Sequence, residues 1–330
     1  MRKILFARRD IEEISILSSI KIIPSFTFCR FIKLKKVEIS PNSNLQTIES
    51  NAFFESSIES IFIPSKVSKI CEHAFSGCQN LRKVEIQLDS NLQTIEGCAF
   101  SYSSLKEIFF PPNLRELKEG WCCGTNKLNK IIISPLNGQF IFKDDKYLVG
   151  KTDPNNKEFD ILLFACRDIK EISIPSNIKI ISSYAFHNCK NLRKVEISPN
   201  SNLQAIKKCA FLYSSIESIS IPSSVSTICE SAFKSCINLK KFEILPNSNL
   251  QTIESGAFSK LNIKSFIIPS KVSKICNDIF SECSSLQIIE ISEGSEMKLD
   301  RLLSLYVHCK LIIMIPLSYI KLVHKRIEQI

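Results

Sequence analysis

Fourteen cysteines and four histidines are the side chains of this 330-residue chain best suited to chemistry. A thiolate is a nucleophile and a soft metal ligand, and a neutral imidazole is a base or a second ligand. Each of these roles needs a spacing. No Cys-x-x-Cys occurs, and the regular pairs Cys71/Cys78, Cys229/Cys236 and Cys276/Cys283 are seven residues apart, unlike the close pairs of zinc sites. Cys78, Cys189, Cys236 and Cys283 share one phase of a longer period, Cys71, Cys229 and Cys276 a second, and Cys98 and Cys209 a third. A residue type that returns at a fixed phase is explained by fit to an interior, where a free thiol behaves as a small hydrophobe. Cys122-Cys123 falls outside this regularity and is the better candidate for a reactive thiol. His73, His187, His308 and His324 have no companion at metal or triad spacing and are expected in surface or incidental roles. With eight glycines and no glycine-rich turn, a phosphate cradle is also missing. The sequence therefore assigns no catalytic residue, no metal site and no cofactor.

The elements that carry these residues repeat. A proline closes one segment at Pro64, Pro111, Pro175, Pro222 and Pro269, in steps of 47, 64, 47 and 47, and the 64 is 47 plus an insertion of 17. A phenylalanine recurs at Phe28, Phe53, Phe75, Phe100, Phe186, Phe211, Phe233, Phe258 and Phe280, in alternating steps of 25 and 22 outside the insertion. Each unit carries Leu-x-x-Ile/Val-x-Ile, as in Leu81 to Ile86 and Leu192 to Ile197, whose period-2 alternation reads as a short half-buried strand. A turn of Pro, Asn and Ser follows, then a second apolar pair such as Val67 and Ile70, then Ala-Phe-x-x-Cys, apolar at the spacing of one helical or 3-10 turn. One such unit cannot bury its own apolar side, so stability requires stacking on neighbours.

These residues resemble the BspA-like, or treponemal-type, leucine-rich repeats. The motif Leu-x-x-Ile-x-Ile-Pro-x-x-Val-x-x-Ile-x-x-x-Ala-Phe-x-x-Cys is met from Ile58 to Cys78 and from Ile216 to Cys236, with Cys71, Cys229 and Cys276 where the family has Gly. The expected fold is an α/β leucine-rich-repeat solenoid, with short parallel strands on a concave sheet and short helical or 3-10 turns and loops on the convex side. The resemblance implies a surface-displayed adhesion or host-interaction protein.

The organisation expected along the chain is repeats over 1–133, a hairpin insertion over 134–166, repeats over 167–295, and a degraded last repeat or cap over 296–330. In the insertion, two alternating apolar runs flank Asp144-Asp145. Leu5 to Ile11 matches Leu163 to Ile169 at an offset of 158, so the chain starts in the middle of a module. That start reads as a fragment, a truncated gene model, or an end open to end-to-end self-association. The first ten residues lack the apolar run of a signal peptide, so the compartment reads as cytoplasmic from the chain alone and as cell surface from the resemblance. Leu302 to Val323 is the most apolar stretch, but His308, Lys310, Pro316 and Lys321 interrupt it, and it is expected as a degraded repeat and not a membrane span.

Side chains between the buried strand positions point out of the concave sheet. Lys36/Glu38, Lys83/Glu85, Lys194/Glu196 and Lys241/Glu243 place opposite charges on one face, and Phe62, Phe109, Ile132 and Ile267 place apolar groups between them. These twelve residues are the candidate surface for a protein partner. Lys plus Arg is 43 against 33 acidic residues, a net +10, yet the excess is dispersed and not interleaved with aromatics, so no specific nucleic-acid site is expected. The alternative is loose electrostatic association with nucleic acid or an anionic membrane surface.

Overall fold

The computed structural model describes residues 10–276, 278–295 and 312–314. It divides into two compact units, Met1–Phe159 and Asp160–Ile330. In the first, four-residue strands at Glu13–Ile16, Lys36–Ile39, Ser60–Ile63, Lys83–Ile86, Glu107–Phe110 and Lys130–Ile133 run parallel, one per rung. Two-residue strands at Ile22–Ile23, Thr47–Ile48, Lys69–Ile70, Thr94–Ile95 and Glu116–Leu117 form a second parallel ladder. The unit also holds an antiparallel hairpin, Phe140–Lys143 with Tyr147–Gly150. Its turn has left-handed Asp144 and Asp145 (φ 53° and 51°), a conformation that short polar side chains tolerate best. Asn137 anchors the approach to this hairpin. Its amide donates to the carbonyls of Pro111 (2.8 Å) and Leu114 (2.9 Å), and its Oδ1 accepts from the backbone N–H of Gln139 and Phe140.

The second unit repeats the plan. Four-residue strands lie at Glu171–Ile174, Lys194–Ile197, Ser218–Ile221, Lys241–Ile244, Ser265–Ile268 and Ile288–Ile291. Its two-residue ladder starts on Ile161–Ala165 and continues through Ile180–Ile181, Ala205–Ile206, Thr227–Ile228, Thr252–Ile253 and Lys274–Ile275. Of the apolar stretch Leu302 to Val323, the described part is the strand Ile312–Met314, paired in parallel with Ile288–Glu290; the rest lies outside the described residues. Among the described residues no helix is long and apolar enough to cross a membrane.

Both interiors are built on a column of phenylalanines. Phe28, Phe53, Phe75 and Phe100 stack with centroids 5.0, 5.3 and 5.3 Å apart. Phe186, Phe211, Phe233, Phe258 and Phe280 do so at 4.8, 5.1, 5.8 and 5.8 Å. These spacings follow the distance between hydrogen-bonded strands, so rings carried one per rung come into stacking contact. Where Cys122 takes the phenylalanine position, buried Trp121 packs edge-on against Phe110, and Phe110 in turn meets Phe140.

The expected helical or 3-10 turns are absent: among the described residues the fold is a parallel β-solenoid with no helix, and the α/β class is corrected accordingly. The backbone hydrogen bonds around Phe53 show why. The N–H groups of Ala52, Phe54 and Ser56 donate three residues back, to Glu49, Asn51 and Phe53. Those of Asn51, Phe53 and Glu55 donate instead to the next rung, to Glu72, Ala74 and Ser76. A helix would need all of these N–H groups for itself. The result is a chain of tight turns, with left-handed residues two before and two after the phenylalanine: Asn51 and Glu55, Cys98 and Tyr102, Tyr184 and Asn188, Cys209 and Tyr213, Ser231 and Ser235.

With few glycines in the chain, side-chain-bearing residues hold most of these left-handed positions, at a cost of roughly 1–2 kcal/mol each. Ser231→Gly should therefore raise unfolding free energy by about 0.5–1 kcal/mol after the extra entropy of an unfolded glycine is allowed for. Gly256→Ala, at the same position of the next rung, should lower it by about 1 kcal/mol, since its φ is +60° and the new methyl otherwise meets only ordinary or slightly tight neighbours. Urea denaturation midpoints moving in the opposite directions would refute this account of the turns.

Candidate functional site

The four-residue strands of the Lys-x-Glu rungs alternate outward and inward side chains. Lys36, Glu38, Lys83, Glu85, Lys194, Glu196, Lys241 and Glu243 are exposed, while Val37, Ile39, Val84, Ile86, Val195 and Ile197 between them are buried. The face is therefore set by strand periodicity, with neighbouring rungs in register: Lys36 beside Ser60, Ser60 beside Lys83, Phe62 beside Glu85, and Phe109 beside Ile132. In the second unit Lys194 and Lys241 flank Ser218, and Ile267 stands beside Glu290.

Each Lys-x-Glu closes on itself. The Nζ to carboxylate distances are 2.6 Å for Lys36–Glu38, 2.6 Å for Lys83–Glu85, 2.5 Å for Lys194–Glu196 and 2.9 Å for Lys241–Glu243. Lys130 pairs across rungs with Glu107 at 3.1 Å. A serine of the preceding rung adds a hydrogen bond to the carboxylate: Ser15 to Glu38, Ser173 to Glu196 and Ser220 to Glu243, at 2.8, 2.9 and 3.1 Å. These bonds, the lysine's first and then the serine's, hold the Glu38, Glu196 and Glu243 carboxyls below the usual carboxylate range. Lys36 and Lys194 are raised in turn by their glutamates. Such exposed pairs add little stability. Their consequence is that this face carries paired charges in place of a basic groove.

The apolar candidates differ in exposure. Ile132 is 43% and Ile267 56% exposed, whereas Phe62 and Phe109 are half-buried, because residues abreast in a ladder shield one another. The serine partners Ser15, Ser173 and Ser220 are part of the arrangement that the sequence reading did not single out. A Ser on one rung opposite Glu on the next was the available signal.

The cysteines are mostly sealed. Cys78, Cys189 and Cys236 are fully buried, and Cys78 and Cys236 donate to the carbonyls of Phe53 and Phe211 in the preceding rung at 2.9 and 3.0 Å. Burial pushes both thiols up to about 12, against opposing hydrogen bonds from Ser56 and Ser214. In the irregular rung Thr125 makes the equivalent bond to Phe100. Cys122 and Cys123 are also buried, so the expected reactive pair does not face solvent. No group of three or more His, Cys, Asp or Glu among the described residues is placed to hold a metal ion.

His187 is buried, which removes the surface half of the expectation for it, and packs edge-on to Tyr184 and Tyr213. Burial, then Arg167, then Lys190, lowers its pKa to about 4. An unfolded histidine titrates near 6.5, so between pH 6.5 and 4 the unfolded state takes up a proton that the folded state refuses. Stability is unaffected above this window and falls as pH drops through it, by up to about 3 kcal/mol. His187→Phe should remove that part of the pH dependence; denaturation curves of equal pH slope for both proteins would overturn the assignment.

The BspA type Leucine rich repeat region, in six copies, matches residues 1–129 and 158–293. The chain belongs to that family. Among solved structures it is similar to the pneumococcal vaccine antigen PcpA, with 25% identity over 86% of this chain and 62% of that one, TM-score 0.64. It is also similar to a leucine rich cell surface protein of Faecalibacterium prausnitzii A2-165, with 21% identity, 89% and 81% coverage and TM-score 0.65. A leucine-rich repeat protein of Eubacterium ventriosum ATCC 27560 gives 19% identity, 85% and 83% coverage and TM-score 0.58. The chain thus spans less than two thirds of the PcpA structure. A search of the curated proteins found no match.

Proposed function

We propose that this chain is a non-enzymatic protein-interaction scaffold, displayed at a cell surface and acting in adhesion, and that it binds a protein partner on the outward face of its four-residue strands. The observation that carries the reading is the composition of that face. Its charges are neutralised in place, and each unit exposes apolar side chains between them on hydrogen-bonded strands: Ile132, with half-buried Phe62 and Phe109, in the first unit, and Ile267 in the second. Apolar groups held this way are the side chains a protein partner covers at lowest entropic cost. Similarity to a leucine rich cell surface protein and to a pneumococcal vaccine antigen supports the compartment. The paired lysines disfavour the alternative of electrostatic binding to nucleic acid or an anionic membrane through this face.

The test is capture from a panel of purified extracellular-matrix and cell-surface proteins by the wild-type chain, by Phe62→Ser, by Ile132→Ser, and by the exchanged pair Lys83→Glu with Glu85→Lys. Binding to the captured protein should weaken roughly tenfold in the variants, with an unchanged melting temperature and little dependence on salt. Equal binding by all variants would reject the face, and steep loss of binding with added salt would favour the electrostatic reading.

A further inference from the structure

The rung between Phe100 and Lys130 breaks the interior pattern, and the break brings two thiols together. Cys122 stands where the column has phenylalanine, 22 residues after Phe100, so Cys123 takes the position that Ser101 holds one rung earlier. Ser101 Oγ lies 3.0 Å from Cys123 Sγ, and Tyr102 donates its N–H to the Cys123 carbonyl at 2.9 Å. Cys98 begins the same turn in the left-handed conformation (φ 55°) and accepts at its carbonyl from the Ser101 N–H at 3.1 Å, and its thiol interacts with the Ser101 hydroxyl and the Cys123 thiol. Cys98, half-buried, and Cys123, buried, thus lie in stacked turns of adjacent rungs, with the Ser101 hydroxyl of the Cys98 turn against the Cys123 sulfur. Cys209 occupies the same place in the second unit with φ 54°, but there the residue at the position of Cys123 is Lys234.

We propose that Cys98 and Cys123 form a thiol–disulfide exchange site that takes low-molecular-weight disulfides and closes into a covalent staple between neighbouring rungs. The Cys98 thiolate attacks one sulfur of the small disulfide RS–SR; the RS–S bond breaks, and the departing thiolate takes up a proton as RSH. Cys123 then gives up its proton and attacks Cys98 Sγ, the bond from Cys98 to the remaining RS group breaks, and a second RSH leaves. Two protein thiols are oxidised to one disulfide, and one small disulfide is reduced to two thiols. The half-buried thiol is the attacking one, and the buried thiol beside it resolves. The charge balance favours the same order. The hydrogen bond from Cys123 draws the Cys98 thiol below its ordinary range, burial opposes, Ser101 and His73 assist, and Glu72 opposes. The Cys123 thiol is raised, first by its bond to Cys98 and then by burial.

The probe is oxidised glutathione added to the intact native chain, followed by alkylation of remaining thiols and peptide mapping by mass spectrometry. A Cys98–Cys123 cross-link should form in the wild type and in Cys122→Ser, and it should raise the melting temperature by several degrees. Cys123→Ser should stop at a glutathione adduct on Cys98, and Cys98→Ser should leave Cys123 unmodified. Iodoacetamide should label Cys98 of the native chain at a pH where Cys236 stays unlabelled. Absence of the cross-link in the wild type, a cross-link through Cys122, or an adduct on Cys123 in Cys98→Ser would each overturn the site; none of these outcomes bears on the strand face proposed above.

Discussion

Every second backbone N–H in the phenylalanine turns belongs to the neighbouring rung. Phe53 donates to Ala74, Phe75 to Ala99, Phe211 to Ala232 and Phe233 to Ala257, and the residues two before and two after each phenylalanine donate across in the same way. A rung without its neighbour would leave these donors and an apolar face without partners, so stability arises as a sum of nearest-neighbour interfaces. The phenylalanine column follows from the same constraint, because rings carried on hydrogen-bonded rungs can only stack at the rung spacing.

This stacking decides which side chains remain available for chemistry. The position three after the phenylalanine points inward beside the preceding rung's carbonyl, so a cysteine there becomes a buried donor to backbone and is held protonated, as Cys78 and Cys236 are. Thiol reactivity is suppressed by regularity. The rung of Cys122 departs from it: Cys78 and Cys236 have a serine hydroxyl and a carbonyl as partners, whereas Cys123 has the Ser101 hydroxyl and a second thiol.

The strands and the phenylalanine column were legible because they rest on local rules: period-2 alternation in Lys83 to Ile86 and fixed steps between Phe53, Phe75 and Phe100. The turns were not. Ala-Phe-x-x-Cys fits one helical turn and a run of tight turns equally well, and the choice is made by carbonyls on another rung, which no local pattern encodes. The left-handed backbone at Asn51, His73 and Tyr213 was hidden for a related reason, since the residues there are not glycine. The self-neutralised face was legible from Lys-x-Glu spacing. The serine bonds to Glu38, Glu196 and Glu243, and the burial of His187, depended on register between rungs and on packing from several of them.

The ion pairs also limit what a partner on this face would gain. Covering Lys83 and Glu85 strips water from both charges, and their mutual attraction only partly offsets that cost. Covering Phe109 and Ile132, abreast on adjacent strands, releases water from apolar surface without such a penalty. A partner would therefore centre on the apolar rows and leave the pairs at its rim, where they remain hydrated and discriminate by repelling mismatched charge more than by adding affinity. On this account the lysines and glutamates act as a frame that fixes register, and the free energy of association would come from the apolar side chains between them.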